Sequence, residues 1–223
     1  MKNISIMLIL LISYASILFM FMAINRMRPG VIIYDRPEQN NFKLFNYLHT
    51  IIIIIMLLPA FFIKPLPIFL LPFPDKISID QAITFLISFG LIGFFPWKKF
   101  REQGLKDDGS SSPTIPVIFY AFLRIVFLIV YEWFFRGLLL ITISAWVGIE
   151  GGIIINVVLY TIMHSHKSKK EMIGCIPLGL LLCVFTIWWQ SIWPAIIFHL
   201  EIAIINEWPP LQQIISPQKQ TAL

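Results

Sequence analysis

Long apolar stretches constrain this chain more than any other feature. A helix that crosses the hydrocarbon core of a bilayer needs about 20 mostly apolar residues, and the chain has several such stretches with no long polar region between them. The predicted spans are Ile4–Ile24, Tyr47–Ile63, Ile77–Trp97, Ile115–Leu140, Gly151–Met163, Met172–Trp189 and Ile192–Trp208. The sequence therefore predicts an all-α, polytopic membrane bundle of about seven helices, forming one integral membrane domain over residues 1–223.

The scarcity and placement of charge support a lipid bilayer as the partner. Charged residues make up 13% of the chain, compared with about 25% in an average soluble domain. The net charge of +5 does not indicate nucleic acid, because the basic residues fall in short loops between apolar runs, where they set topology. Cys175 and Cys183 lie in one apolar run and predict neither a disulfide nor a metal site.

The loops predict an orientation. Twelve Lys and Arg residues fall in segments 25–46, 98–114, 165–171 and the tail, whereas three fall on the opposite side. Because basic loops stay in the cytoplasm, we expect the amino terminus outside and the carboxyl terminus in the cytoplasm. Segment 64–76 has four prolines within ten residues and is predicted to be a loop or an interfacial turn.

The fourth apolar run contains charges that lipid alone does not tolerate. In the stretch "YEWFFRGL", Glu132 and Arg136 are four residues apart, the spacing at which helical side chains meet. Each charge costs about 3 kcal/mol at the centre of a bilayer, so such residues face the bundle interior and pair. One interpretation is an ion pair that only lowers the cost of insertion. Arg124, in the same run, needs a partner from another helix or from water.

Two histidines extend the polar set. His199 lies inside the last apolar run, and His164 continues a stripe with Asn156 and Tyr160 at four-residue spacing. The other two histidines are predicted at water interfaces: His49 and His166. Two histidines, a glutamate and an arginine from three helices predict a polar cavity inside the membrane.

The order of these residues resembles the CPBP intramembrane peptidases, which include the CAAX prenyl proteases of the Rce1 type and bacteriocin-processing or bacteriocin-immunity proteins. The resemblance covers about residues 116–208. The first motif, a glutamate pair followed by Arg-Gly, is matched by Glu132, Arg136 and Gly137; the second by Tyr160 and His164; the third by His199.

The resemblance implies a multi-pass protein of a bacterial cell membrane that cleaves membrane-associated protein or peptide substrates, prenylated peptides or leader peptides among them. It would be a glutamic-type or metallo-type endopeptidase with four catalytic residues: Glu132, Arg136, His164 and His199. In the family, the leading glutamate and the first histidine are thought to activate water, while the late histidine and an asparagine hold the oxyanion.

Two positions depart from the family pattern. The leading glutamate is replaced by Tyr131, and the Asn or Asp four residues after the last histidine is replaced by Ala203. A phenol with an ordinary pKa of about 10 is a poor base but a usable donor, and loss of one oxyanion donor lowers the rate roughly 100 to 1000-fold. Asn206 lies about 10 Å beyond His199, too far to substitute.

Three alternatives stay open at this point. In the first, the chain is a catalytically degenerate family member that acts in binding or bacteriocin immunity. In the second, it is a small transporter or channel whose permeation route is lined by Arg124, Glu132 and Arg136. A zinc ion held by Glu132, His164 and His199 is a further alternative to a site without any cofactor. The sequence does not define the oligomeric state.

The depth of the predicted site raises a conflict. His164 is three residues from Lys167 and is expected near the cytoplasmic surface, whereas Glu132 lies about 25 Å into a helix that starts from the same side. Either the fourth helix begins deeper than predicted, or the fifth extends past His164 beyond the membrane.

Overall fold

The structure, a computed structural model, describes residues 2–27, 42–63, 73–74, 76–103, 114–166 and 169–215. These residues are almost entirely helical and contain no strand. The helices are α1 (Lys2–Met27), α2 (Phe42–Leu57), α3 (Ile79–Gln103), α4 (Thr114–Glu132), α5 (Ile141–Met163), α6 (Lys169–Trp189) and α7 (Trp193–Ile215). The predicted all-α fold is confirmed.

Length and composition show which helices are able to cross a membrane. Among the described residues, three helical stretches meet both criteria: Ile4–Ile24, Ile118–Met163 and Lys169–Trp189. Shorter apolar helices cover Asn46–Phe61, Ile79–Phe94 and Trp193–Asn206. Together they make the polytopic bundle that the apolar runs predicted, and the chain is an integral membrane protein.

A π-helical segment, Trp133–Leu140, joins α4 to α5 without a loop. A π-helix closes its hydrogen bonds between residues i and i+5, and such segments are rare and frequently lie at functional sites. All eight of its residues are buried. The sequence prediction ended the fourth span at Leu140 and left residues 141–150 between spans; the structure instead keeps these residues helical up to a glycine.

The chain reverses at Gly148, whose φ of 82° and ψ of 167° belong to a region that glycine alone occupies readily. The two arms of this turn approach closely, since a Cβ on Gly152 would come within 2.9 Å of the Ser144 Cα atom. The second arm of α5 then runs back along the π segment, where Asn156 Nδ2 donates to the Phe135 carbonyl at 2.8 Å.

The packing order separates an inner group of helices from an outer group. α4 packs against α2 and α7, and α5 packs against α6 and the π segment. α3 lies against α7, and α1 lies against α2 and the edge of α5, where the Tyr14 hydroxyl donates to the Leu159 carbonyl at 2.9 Å. The polar residues of the motifs are therefore enclosed by α4 to α7.

Several predicted loops lie outside the described residues. These include most of the proline-rich segment, residues 64–72 and 75, the basic loop at 104–113, residues 167–168 and the tail at 216–223. The orientation of the termini, which rests on the charge of these loops, stays a prediction.

Candidate active site

Glu132 is fully buried, and Nη1 of Arg136 donates to its Oε1 at 3.5 Å, whereas Oε2 makes no hydrogen bond within the described residues. Oε2 lies 3.2 Å from Nη1 of Arg136, one helical turn away. Oε1 lies 2.5 Å from Nδ1 of His199 on α7. The predicted pair between Glu132 and Arg136 is present, and the same carboxylate connects the fourth span to the seventh.

Arg136 is also fully buried. Its guanidinium carbon lies 4.5 Å from the centroid of the Tyr160 ring and 5.8 Å from that of Phe135. Within the part of the chain that the structure describes, Nε and Nη2 of Arg136 make no hydrogen bond. Aromatic faces and one carboxylate are thus the described partners of this cation in a low-dielectric setting.

Tyr131 occupies the place between the two histidines. Its ring makes edge contacts with the rings of His164, at 6.4 Å between centroids, and His199, at 5.6 Å. The other face of the ring stacks on Phe135 at 4.4 Å. The residue is 3% exposed, and its hydroxyl has no hydrogen-bond partner among the described residues. The position at which the family pattern has its leading glutamate therefore faces both histidines.

The hydrogen bonds of the two histidines fix the same tautomer. A carboxylate and a carbonyl can only accept, so His199 Nδ1–H donates to Glu132, and His164 Nδ1–H donates to the Tyr160 carbonyl at 2.8 Å. In each neutral ring the proton is on Nδ1, and Nε2 is the unprotonated nitrogen. We call Tyr131, Glu132, Arg136, Tyr160, His164 and His199 together the polar cluster.

Two residues that support the polar cluster were not assigned a role from the sequence. Asn156 is fully buried and holds the π segment through the Phe135 carbonyl, while its own Oδ1 accepts from the Cys183 thiol at 3.2 Å. Asn156 already stood out in the polar stripe, but its partner depends on the π segment, which has no sequence signal. Cys175 and Cys183 are both buried thiols.

The second substituted position also belongs to this region. Ala203, one turn after His199, is buried in the same apolar cluster as Tyr131. Asn206 is exposed and donates to the carbonyl of Ile202 in its own helix. It contributes no donor to the polar cluster, in agreement with the distance expected from the sequence.

The other histidines and Arg124 lie elsewhere. His49, predicted at a water interface, is buried against the rings of Tyr120 and Phe127. His166 is partly buried and stacks on Phe21. The guanidinium of Arg124 lies 5.3 Å from the Phe127 ring centroid.

The described residues do not form a metal-ligand cluster. No group of three or more His, Cys, Asp or Glu side chains in the described ranges is placed to hold an ion. Glu132, His164 and His199, the ligands of the zinc alternative, are not such a group, and Glu132 contacts Arg136 and the Nδ1 atom of His199.

The described helix ends lie close to the predicted ones, and His164 is nevertheless next to Tyr131. α4 starts at Thr114, close to the predicted Ile115, and α5 ends at Met163 with His164 as its cap. The arm of α5 after Gly148 is therefore short, about 22 Å at 1.5 Å per residue. The end of this arm lies next to Tyr131, where α4 joins the π segment. His164 is therefore close to that junction.

The fold and the polar cluster together define a class: a polytopic membrane protein with a buried Glu–Arg–His site. The sequence model of the type II CAAX prenyl endopeptidase Rce1-like family matches residues 113–205. This match confirms the resemblance to the CPBP intramembrane peptidases and supports a CAAX protease-like fold for the matched region. The matched region contains the whole polar cluster, whereas α1 to α3 lie outside it. Searches of curated proteins and of solved structures returned no match.

Proposed function

We propose that this protein is an intramembrane endopeptidase that hydrolyses peptide bonds in membrane-associated proteins or peptides. Its catalytic residues are Glu132, Arg136, His164 and His199. The basic loops and the family resemblance support a bacterial cell membrane as its location, with the carboxyl terminus in the cytoplasm. The observation that carries the proposal is the contact between Glu132 and His199, which joins the fourth and seventh spans at the centre of the matched region.

The polar cluster has the groups that peptide hydrolysis requires. The reaction needs an acceptor for a water proton, donors that stabilise the oxyanion and a proton for the leaving amine. His164 and His199 each have an unprotonated Nε2 when neutral, the Tyr131 hydroxyl is a donor, and Arg136 supplies positive charge. Burial strengthens each of these interactions because water does not screen them.

A reconstituted assay tests the proposal. The full chain in liposomes would be given a fluorogenic peptide with a farnesylated cysteine near its carboxyl end, and in parallel an unprenylated leader-type peptide. We expect cleavage of at least one peptide by the wild type, and a loss of at least about 100-fold in kcat/KM in His164→Ala and His199→Ala.

His166→Ala is the matched control, since this histidine lies two residues from His164, donates to the Met163 carbonyl and stacks on Phe21. Its kcat/KM should stay within about threefold of wild type. A wild-type rate equal to that of empty liposomes for both peptides, or a rate that the His199→Ala change leaves intact, would rule the proposal out.

One observation favours a second candidate, a member that binds peptides or acts in bacteriocin immunity without hydrolysis. The Tyr131 ring fills the place between the two histidines where the family pattern has a carboxylate, and Ala203 removes a donor from the neighbouring buried position. Under this alternative, the site recognises a segment of peptide but does not activate water.

Restoring the family residues separates the two candidates. Tyr131→Glu combined with Ala203→Asn returns both missing groups, and residues that act as a unit have non-additive effects. If the wild type is an endopeptidase, the double variant should cleave at a similar or higher rate. If the wild type binds only, cleavage should appear in the double variant and be absent from wild type and from either single variant, with thermal melting as the control for folding.

A further inference from the structure

We infer that His199 is the proton acceptor of the proposed endopeptidase and that Glu132 is a positioning residue that holds its ring in the active tautomer. The inference rests on the proposed function, and it assigns to His199 a role other than the oxyanion contact that the resemblance implies. It also removes Glu132 from direct contact with water.

Burial distinguishes the two residues. The Glu132 side chain has no exposed surface, whereas the His199 side chain keeps 11% of its surface exposed. Oε1 of Glu132 accepts from His199 Nδ1 and from Arg136 Nη1, and Oε2 lies 3.2 Å from the same Nη1 atom. Of the pair, the imidazole is therefore the group that an incoming water or peptide can reach.

The contact also prepares the imidazole for its role. Because Oε2 is paired with Arg136, Glu132 is a carboxylate that only accepts, and His199 Nδ1 must donate to Oε1. Nε2 of the neutral ring is then unprotonated. When Nε2 takes a proton, the buried carboxylate stabilises the imidazolium, as the aspartate does in a Ser-His-Asp triad.

His164 is less suited to the same role, since its Nδ1 donates to a neutral carbonyl, that of Tyr160, rather than to a carboxylate. A carbonyl fixes the tautomer but does not supply the negative charge that stabilises an imidazolium. The rings of Tyr131 and Tyr160 also make edge contacts with His199, and both are uncharged as phenols.

The proposed step is balanced. A water molecule gives one proton to Nε2 of His199, and its oxygen forms a bond to the carbonyl carbon of the scissile peptide. The carbon–nitrogen bond then breaks, and the imidazolium returns the proton to the leaving amine. One peptide bond and one water become a carboxylic acid and an amine, and Glu132 keeps its charge throughout.

A chemical probe tests the inference without any substrate. Diethyl pyrocarbonate acylates unprotonated imidazole nitrogen, and the extent at each histidine of the full chain in detergent would be followed by mass spectrometry, with His166 as the internal reference. We expect His199 to react at least tenfold faster in wild type than in Glu132→Leu with Arg136→Met, a double change that leaves no unpaired charge. Equal rates in the two proteins would overturn the inference.

Turnover supplies the second measurement. Glu132→Gln keeps an acceptor for Nδ1 but removes the charge, so kcat should fall about 100-fold while KM stays within about twofold. A fall in KM alone, or full activity in His199→Gln, would contradict the assignment. A wild type without turnover but with fast acylation at His199 would refute the proposed function and still support the positioning of His199 by Glu132.

Discussion

Two hydrogen bonds in α4 to α7 join side chains of different elements, whereas side chains of α1 to α3 donate to backbone carbonyls, as some in α4 to α7 also do. In α1 to α3, Ser16 and Thr50 donate to carbonyls four residues earlier in their own helices. In α4 to α7, side chains from different elements bind one another, as between Glu132 and His199 and between Asn156 and Cys183. A hydroxyl finds an acceptor within one helix, whereas a buried charge needs partners from several.

This difference assigns separate roles to the two groups. The outer helices contribute apolar surface and a few bonds onto backbone carbonyls, such as that from Tyr14 to Leu159. The inner helices share one network, so a change in one element alters the partners of another. We therefore expect changes at buried residues of this network and its turn to be more costly than matched changes elsewhere, and three sets of variants test this expectation.

The largest effect on stability should come from breaking the ion pair. Glu132→Leu leaves the buried guanidinium of Arg136 without its carboxylate and should lower the free energy of unfolding by about 3 to 5 kcal/mol. Adding Arg136→Met should recover most of this loss. Ser16→Ala in α1 should stay within about 0.5 kcal/mol of wild type. The free energy of unfolding of the wild type and the three variants would be measured in bicelles. Similar losses in Glu132→Leu and in the double variant would show that the unpaired charge of Arg136 is not the cause.

An intermediate effect is expected at Asn156. Asn156→Ala removes the hydrogen bond to the Phe135 carbonyl and the bond accepted from Cys183. Because both bonds are buried, the free energy of unfolding should fall by about 2 kcal/mol. Asn206→Ala is its matched control, because that amide is exposed and bonds within its own helix. The two melting temperatures in detergent would be compared. Equal shifts would show that the π segment does not depend on Asn156.

The smallest effect concerns the backbone turn. Gly148→Ala should cost about 1 to 2 kcal/mol, because the added Cβ meets no atom within 4 Å and only the strain of its φ and ψ remains. Gly90→Ala in α3 also meets no atom within 4 Å, but it lies in a regular helix and should leave stability unchanged or raise it by up to about 1 kcal/mol. Denaturant midpoints would show whether Gly148→Ala lowers the stability while Gly90→Ala leaves it unchanged or raises it.

The sequence by itself determined the membrane class, the helical content and the members of the polar cluster. Apolar runs reveal spans because the bilayer leaves backbone groups no partner except within a helix or a closed barrel. Charges within such runs reveal a site because they are too costly to leave unpaired. Glu132, Arg136, His164 and His199 were found on this basis.

Only the tertiary structure decided which of these residues touch. The four-residue spacing predicted the pair between Glu132 and Arg136 but not the second partner, His199, which is 67 residues away in the chain. The π segment and the turn at Gly148 determine the direction of the Tyr131 side chain and place His164 in contact with it. These features depend on packing between helices, and a local apolar pattern does not encode which side of a helix meets a distant one.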